Sequence, residues 1–299
     1  MMDVPSQQVP RAGELNIDHV AHFVADIDGA SGALERLGFT LTPFSAQSHR
    51  LEPGGPLVPA GSGNRCIMLE RGYLEMLTPT GDTPIAAQLR SAMERYVGVH
   101  LIAFGTAAPE SDHARLREAG FDPPAPVALQ RSIDTENGSG TARFTVIRVP
   151  PDTMTEGRIQ YCQQHTPELV WQRRWTTHCN GAKALTRVIV CVPDPRETAL
   201  RYSRFAGLLA EQNGGVWKLA TARGEIVFFD PAHLDETFRV RAPALPWIAG
   251  YSLETHELAS TKACIESAGI GSELLDDGAL CVRLHDALGG IVLFEQSKR

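Results

Sequence analysis

Apolar residues recur along this chain in a pattern that repeats four times. Each repeat opens with a short apolar run of the length and composition of a buried β-strand, and the four runs are 17–24, 99–105, 185–192 and 247–253. A stretch with helical spacing follows each run, as Ala30, Ala33, Leu34 and Leu37 show in the first repeat. The pattern therefore predicts a strand followed by a helix in every repeat.

A glycine follows every predicted helix at nearly constant spacing. Gly38 comes 19 positions after His19 on the first strand, and the interval is 20 in the other repeats, from His100 to Gly120, Arg187 to Gly207 and Ala249 to Gly269. Glycine is the expected residue there because it enters the left-handed helix cap without strain. Further strand-like runs follow each glycine, and the last of them begins at Gly72, Gly157, Gly224 and Gly290. The repeating unit is therefore βαβββ.

Four such units predict an α+β fold. A small sheet with one exposed apolar face is not stable alone, so we expect the βαβββ modules to pair into two half-barrel sheet domains. The predicted divisions are a flexible tail at 1–14, an N-terminal domain at 15–171 (modules 15–80 and 96–167), a linker at 172–182 and a C-terminal domain at 183–297 (modules 183–231 and 246–296). Pairing between two chains, in a homodimer, stays open.

Composition excludes several classes of partner. The net charge is −7, with no basic block, so neither nucleic acid nor an anionic membrane is an expected partner. The N-terminus lacks the apolar core of a signal peptide, and no later run is long enough to span a bilayer, which predicts a cytoplasmic protein. The six cysteines do not have the spacing of a zinc knuckle or a redox pair.

Three sequence features carry a resemblance to a known family. Asp18-His19-Val20 opens a strand, Leu37-Gly38-Phe39 closes a helix, and a last strand begins at Gly72-Tyr73-Leu74. Together they resemble a glyoxalase-like domain of the vicinal oxygen chelate superfamily, which includes glyoxalase I, extradiol dioxygenases and bleomycin-resistance proteins. The likeness is clearest from about 15 to 171 and is weaker, by pattern only, beyond residue 181.

The resemblance implies a metal site in the N-terminal domain. Ligands in this superfamily come from the first and last strands of each module, and these positions here are His19, Glu75, His100 and Gln160. They would suit a divalent metal ion such as Fe, Mn, Ni or Zn. Gln160 departs from the family pattern, which has a carboxylate there. The equivalent C-terminal positions carry Arg187, Val227, Ala249 and Val292, so we expect that domain to be degenerate.

Four further residues are candidates for substrate binding. Asn64 and Arg65 open a strand of the first module, where Arg65 could hold a substrate carboxylate or lie at the surface. His165 and Glu168 follow the strand that carries Gln160, either at the mouth of the cavity or in a strap between the domains with Trp171 packed beneath it.

Two functions are compatible with these features. The first is a metal-dependent lyase, isomerase or dioxygenase that acts on a small oxygenated molecule in the N-terminal cavity. The alternative is a metal-free protein that binds or sequesters a small molecule, as the bleomycin-resistance members do. The retained His19, Glu75 and His100 favour the enzyme, and the missing carboxylate at Gln160 favours the binding protein.

Overall fold

The computed structural model describes residues 8–50 and 55–297. The first module consists of β1 (Asn16–Phe23), α1 (Ile27–Arg36), β2 (Ser45–Arg50), β3 (Leu57–Met68) and β4 (Tyr73–Pro79), and α2 (Pro84–Arg95) leads to the next. The second consists of β5 (Gly98–Gly105), α3 (Pro109–Glu118), β6 (Val127–Thr135), β7 (Gly138–Arg148) and β8 (Arg158–Gln164), followed by the short α4 (Pro167–Val170).

The C-terminal half repeats this arrangement with shorter strands. Its third module consists of β9 (Ala182–Cys191), α5 (Pro195–Ala206), β10 (Ala210–Asn213), β11 (Val216–Ala220) and β12 (Glu225–Phe229), and α6 (Pro231–Phe238) follows. The fourth consists of β13 (Trp247–Thr255), α7 (Leu258–Ser267), β14 (Glu273–Leu274), β15 (Leu280–Arg283) and β16 (Ile291–Gln296). The predicted α+β fold of four βαβββ modules is confirmed. All four helix-closing glycines have positive φ, from 67° to 86°.

The N-terminal sheet is closed more completely than the predicted half-barrel. Within each module the first strand pairs in parallel with the last, and β1 pairs antiparallel with β5. At the opposite side β2 pairs with β6, with Gln47 opposite Arg131, so the eight strands form a ring. In the C-terminal half, β10 and β14 have only four and two residues and do not pair with each other, so that sheet stays open.

One apolar core joins the two halves. The outward faces of β1, β5, β9 and β13 pack with α1 and α5 in a single cluster that includes Val20, Ile102, Val188, Tyr202 and Tyr251. The sheets also continue into each other, because Val99 of β5 pairs with Ile248 of β13. Buried Glu156 adds a two-pronged ion pair to Arg201 of α5, with both oxygen–nitrogen distances at 3.0 Å or less. The common core, the strand pairing and this ion pair therefore stabilise the two halves together.

The segments outside the modules are anchored to them. Of the tail predicted at 1–14, residues 1–7 lie outside the described residues, but Gln8 is buried and its amide binds the backbone of Glu70 and Gly72, so the segment is anchored at Gln8, while residues 11–13 are exposed. In the predicted linker, His178 contacts the backbone of Met68 and Thr40. Across the described ranges no helix is long and apolar enough to cross a membrane.

A buried histidine between the two halves, His22, gives the free energy of unfolding a predictable pH dependence. His22 is fully buried, and burial lowers its pKa from 6.5 to about 4. The unfolded chain therefore takes up a proton between pH 6.5 and 4 that the folded protein excludes, so the free energy of unfolding falls as pH falls through this window. From pH 7 to 5 the contribution of His22 is a loss of about 2 kcal/mol.

We expect His22→Gln to reduce this pH-dependent loss by about 2 kcal/mol, measured by urea unfolding at pH 7 and pH 5. His256, whose side chain is 66% exposed, provides the matched control, and His256→Gln should leave the loss unchanged. Equal losses in His22→Gln and wild type would contradict a neutral, buried His22.

Candidate functional site

A small polar cavity lies inside the closed N-terminal barrel. It has a volume of about 50 Å³. Its polar lining comes from seven of the eight strands of the ring and consists of His19, Gln47, Asn64, Glu75, Gln130, Arg131, Arg148, Arg158 and Gln160. The inward positions of a barrel this narrow are normally filled by apolar side chains. A polar interior therefore marks the candidate site.

His19 is oriented by the residue that precedes it. Its Nδ1 lies 2.7 Å from Oδ2 of buried Asp18, and its ring stacks on Tyr73 with 4.3 Å between ring centroids. Asp18 Oδ2 also accepts a hydrogen bond from the Gln164 amide. A carboxylate at Nδ1 fixes the tautomer that carries its proton there. The lone pair of Nε2 therefore faces Glu75, whose Oε2 is 3.8 Å away.

Glu75 is held on one of its two oxygens. Oε1 accepts hydrogen bonds from the side-chain amides of Asn64 and Gln47, the latter at 3.3 Å. The Gln47 carbonyl in turn accepts from Ser62 Oγ at 2.6 Å. Oε2 faces His19, so the imidazole and one carboxylate oxygen are presented together to the cavity. Gln160 Oε1 is also buried and has no hydrogen-bond partner among the described residues.

Three arginines bring positive charge into the same cavity. Arg131 is buried, donates to Asn64 Oδ1 at 3.3 Å and lies over the Phe144 ring. Arg148 and Arg158 are half-buried at the end of the barrel. Within the described ranges none of the three forms an ion pair with a carboxylate. Buried arginines are normally paired, and the Glu75 carboxylate, which faces the same cavity and acts on Arg158, balances only part of this positive charge.

The surroundings of these guanidinium groups disfavour their charge. Burial lowers the pKa of Arg148. Burial and the neighbouring Arg148 lower the pKa of Arg158 to about 9, which still leaves Arg158 protonated at neutral pH. Nε of Arg148 is buried and has no hydrogen-bond partner among the residues described. An anion between Arg148 and Arg158 would relieve this cost, because it supplies both charge and hydrogen-bond acceptors.

The structure brings together three of the four predicted metal ligands. His19, Glu75 and Gln160 line the inner cavity, and His100 does not. His100 lies at the end of the barrel between the rings of Phe23 and Tyr96, with its Nε2 2.8 Å from the Tyr96 carbonyl oxygen. The placement of His100 with the other three is thus corrected, because His100 lines a different cavity, and the role of His19, Glu75 and Gln160 as metal ligands stays a prediction.

The physical reason is a β-bulge in β5. The pairing with β1 passes from Leu101 to Val99 and leaves His100 without a partner. Glu75 lies opposite Ala21, two residues after His19, and Gln160 lies opposite Ala103, two residues after Leu101. Leu101 is therefore the true counterpart of His19, and it lines the inner cavity. The second module offers an apolar side chain where the first offers an imidazole.

The corresponding positions of the C-terminal half carry a paired arginine and apolar side chains in place of the imidazole and the carboxylate. Arg187 occupies the register of His19 and forms ion pairs with Glu225 and Glu295 at 2.7 and 2.8 Å. Val227, at the position of Glu75, is buried in an apolar cluster. The arginine there is fully paired, in contrast to the three arginines of the N-terminal barrel.

The predicted substrate-binding residues divide in the same way. Asn64 lines the cavity and binds Glu75. Arg65 faces away from it and forms an ion pair with Asp28 at 3.2 Å, which matches the surface alternative. His165 and Glu168 are exposed and line neither the inner nor the outer cavity, and His165 contacts Thr145. Both are corrected to surface residues, because the chain turns outward after β8.

Sequence reasoning missed Asp18 and the three arginines. A usable signal existed for two of them. Arg158 lies two residues before Gln160 on one strand, and Arg148 continues the inward series of Phe144 and Val146, so alternation places these side chains in the barrel. Arg131 reaches the cavity through the pairing of β2 with β6, for which the sequence carries no comparable signal.

The cavity does not suit a divalent metal ion. Without His100 it offers one imidazole, one carboxylate and neutral amides, and the described part of the chain holds no cluster of three His, Cys, Asp or Glu that could bind a metal. The three guanidinium groups also repel a divalent metal cation. Burial raises the pKa of the Cys66 thiol to about 12 and that of Cys162 well above its usual range, so both thiols are neutral in the metal-free protein.

A larger, outer cavity of about 720 Å³ adjoins the barrel end. It is bounded by α2, the start of β5 and the loops before β6 and β8. Arg148 and Arg158 line both cavities and therefore form the boundary between them. The outer lining also includes His100, so the imidazole that the inner cavity lacks lies in the outer cavity.

Comparison with known structures supports the fold alone, because all identities are low. A hypothetical protein from Staphylococcus aureus matches 95% of this chain over 100% of its own length at 14% identity, with a TM-score of 0.63. A mutant of 4-hydroxymandelate synthase from Streptomyces coelicolor matches 95% over 92% at 13% identity, with a TM-score of 0.55. A fusion of a xylose isomerase-like TIM barrel with 4-hydroxyphenylpyruvate dioxygenase matches 97% over 50% at 11% identity, with a TM-score of 0.57.

A search of curated protein sequences finds no match to this chain. The family model described as a glyoxalase-like domain matches residues 17–206, which span both N-terminal modules and the first strand and helix of the third. Relatives in the vicinal oxygen chelate superfamily commonly use divalent metals. On the family match and the shared fold, the chain belongs to the glyoxalase-like domain family of the vicinal oxygen chelate superfamily.

Proposed function

We propose that the N-terminal barrel binds a small organic anion without a metal ion. The observation that carries this proposal is the convergence of Arg131, Arg148 and Arg158 on one cavity with no carboxylate paired to them in the described ranges. A guanidinium group presents parallel N–H donors that match the two oxygens of a carboxylate. A carboxylate is therefore the ligand that best compensates the buried charge.

The size of the inner cavity limits what can enter it. One water needs about 10–15 Å³ of cavity volume, so a cavity of about 50 Å³ has room for roughly three to five waters. An acid of a few heavy atoms fits this space, as does the acidic group of a larger molecule. Acetate, the simplest organic carboxylate that fits, is the natural probe.

We expect acetate to bind the chelator-treated protein and Arg158→Gln to weaken that binding about 10- to 100-fold, the usual effect of losing a charged hydrogen bond. Titration calorimetry measures both. Arg143 lies exposed on β7, the strand that carries Arg148, and Arg143→Gln is the matched control that should bind as wild type does. Equal affinities for Arg158→Gln and Arg143→Gln, or no binding by wild type, would refute the proposal.

A second candidate, proton transfer on the bound anion, is favoured by the Asp18–His19 pair. Asp18 holds the His19 tautomer whose Nε2 can accept a proton, and Glu75 lies 3.8 Å beyond it. A base in this position can remove a proton from the carbon beside a ligand carbonyl and return it, as an isomerase or lyase requires. Incorporation of deuterium at C3 of pyruvate in D2O, followed by NMR and lost in His19→Gln, would support it. No exchange above the solvent rate would leave binding alone.

The metal-dependent lyase, isomerase or dioxygenase is the alternative to both. Its support is the 3.8 Å approach of His19 Nε2 to Glu75 Oε2 and the unpartnered oxygen of Gln160. Against it stand the position of His100 and the surrounding positive charge. Metal content decides between this alternative and the anion site.

A further inference from the structure

The outer cavity has the size and lining of a ligand site. Its volume of about 720 Å³ lies within the usual range for pockets that hold small organic molecules. One wall is apolar and includes Phe23, Ile85, Pro150, Met154 and Ile159. The proposed anion site accounts for none of these residues, so a ligand confined to the barrel would leave this surface unused.

The charges of the outer cavity are concentrated at its inner end. Arg95 also lines it, but Arg95 donates to the backbone carbonyls of Thr155, Glu156 and Pro246 and is therefore engaged. Arg148 and Arg158 lie on the boundary with the barrel, and Arg158 packs over the Phe23 ring with 5.4 Å to its centroid. Arg158 also donates to Gln88 Oε1 at 3.3 Å, and exposed Asp122 lines the outer cavity as well. The guanidinium groups without a paired carboxylate thus lie at the boundary, with apolar surface beyond it.

We infer that the two cavities form one site for a carboxylic acid with an extended apolar body. This inference rests on the proposed anion site and extends it. The carboxylate lies between Arg148 and Arg158, and the hydrocarbon body lies along the apolar wall of the outer cavity. The ligand class is therefore a monocarboxylate with a chain or ring of about six to ten carbons, the size that a pocket of this volume buries.

The test is calorimetric titration of the full-length protein with a series of straight-chain acids from acetate to octanoate. Each added methylene that becomes buried should tighten binding about fourfold. Ser91 is exposed on α2 and lines the outer cavity, so Ser91→Trp fills that cavity without changing the barrel. Glu94→Trp, on the same helix but outside the lining, is the matched control. The neutral 1-hexanol tests the need for the charge.

The expected result is a steady gain in binding affinity with chain length in wild type and Glu94→Trp, and little gain in affinity in Ser91→Trp. Acetate should bind all three proteins with equal affinity. Acetate binding with no gain in wild type would overturn this inference and leave the anion site standing. Equal gains in Ser91→Trp would also overturn it, because the body would then lie elsewhere. Tight binding of 1-hexanol would overturn the role of the carboxylate. Failure of every acid to bind would overturn the proposed function itself.

Discussion

Arg148→Met should give a protein that is more stable than wild type and binds acetate at least 10-fold more weakly. The Arg148 guanidinium is half-buried beside Arg158, has an unpartnered Nε and forms no ion pair within the described ranges. Replacing buried charges by apolar side chains of similar volume often stabilises a protein by about 1–4 kcal/mol. We expect a gain of about 1–2 kcal/mol in the free energy of unfolding, because part of the group is still solvated.

The two effects of Arg148→Met are measured separately. Urea unfolding gives the stability, and calorimetry with acetate gives the binding, which we expect to fall at least 10-fold. Arg143→Met on the exposed face of β7 should change neither quantity by much. A loss of stability above about 1 kcal/mol in Arg148→Met would show that the guanidinium is already compensated in the free protein, which would remove the basis for an anion site.

Trp171→Ala should destabilise the protein by about 3–5 kcal/mol, the usual cost of removing a fully buried large aromatic side chain. Trp171 is 1% exposed and packs edge-on against Tyr73, with 5.7 Å between ring centroids. Tyr73 in turn stacks on His19. The substitution should therefore also weaken acetate binding, because it loosens the wall that orients the imidazole.

Urea unfolding of Trp171→Ala beside Trp175→Ala provides the comparison. Trp175 is only half-buried, so its loss should cost clearly less. Costs of similar size in the two variants would indicate that the segment after β8 acts as a whole, and that Trp171 has no special place in the barrel core.

The repeat explains why so much of the fold could be predicted. Strand periodicity, helix spacing and the closing glycines are local signals, and each occurs four times, so errors in one copy are corrected by the others. Alternation along β1 places His19 and His22 on opposite faces, so His19 faces the cavity while His22 faces the C-terminal half and contacts Tyr251. These features depend on residues close together in sequence.

The errors have non-local causes. Leu101 precedes Gly120 by 19 positions, as His19 precedes Gly38, but the interval is 20 in the third module, where Arg187 does occupy the register of His19. The spacing alone therefore did not distinguish Leu101 from His100. The bulge at His100 shifted the alignment by one residue, and a bulge depends on the partner strand. The pairing of β2 with β6, which brings Arg131 to Asn64, joins segments that are about 80 residues apart and leave no periodic trace.

Elemental mass spectrometry tests the absence of a functional metal most directly. Wild type and Glu75→Gln are purified without chelator or histidine tag, and each sample is then titrated with acetate before and after EDTA treatment. We predict far less than one equivalent of iron, manganese, nickel or zinc in both proteins, and wild-type acetate binding that EDTA does not change. Near-stoichiometric metal in wild type that is lost in Glu75→Gln, together with binding abolished by EDTA, would contradict the metal-free anion site.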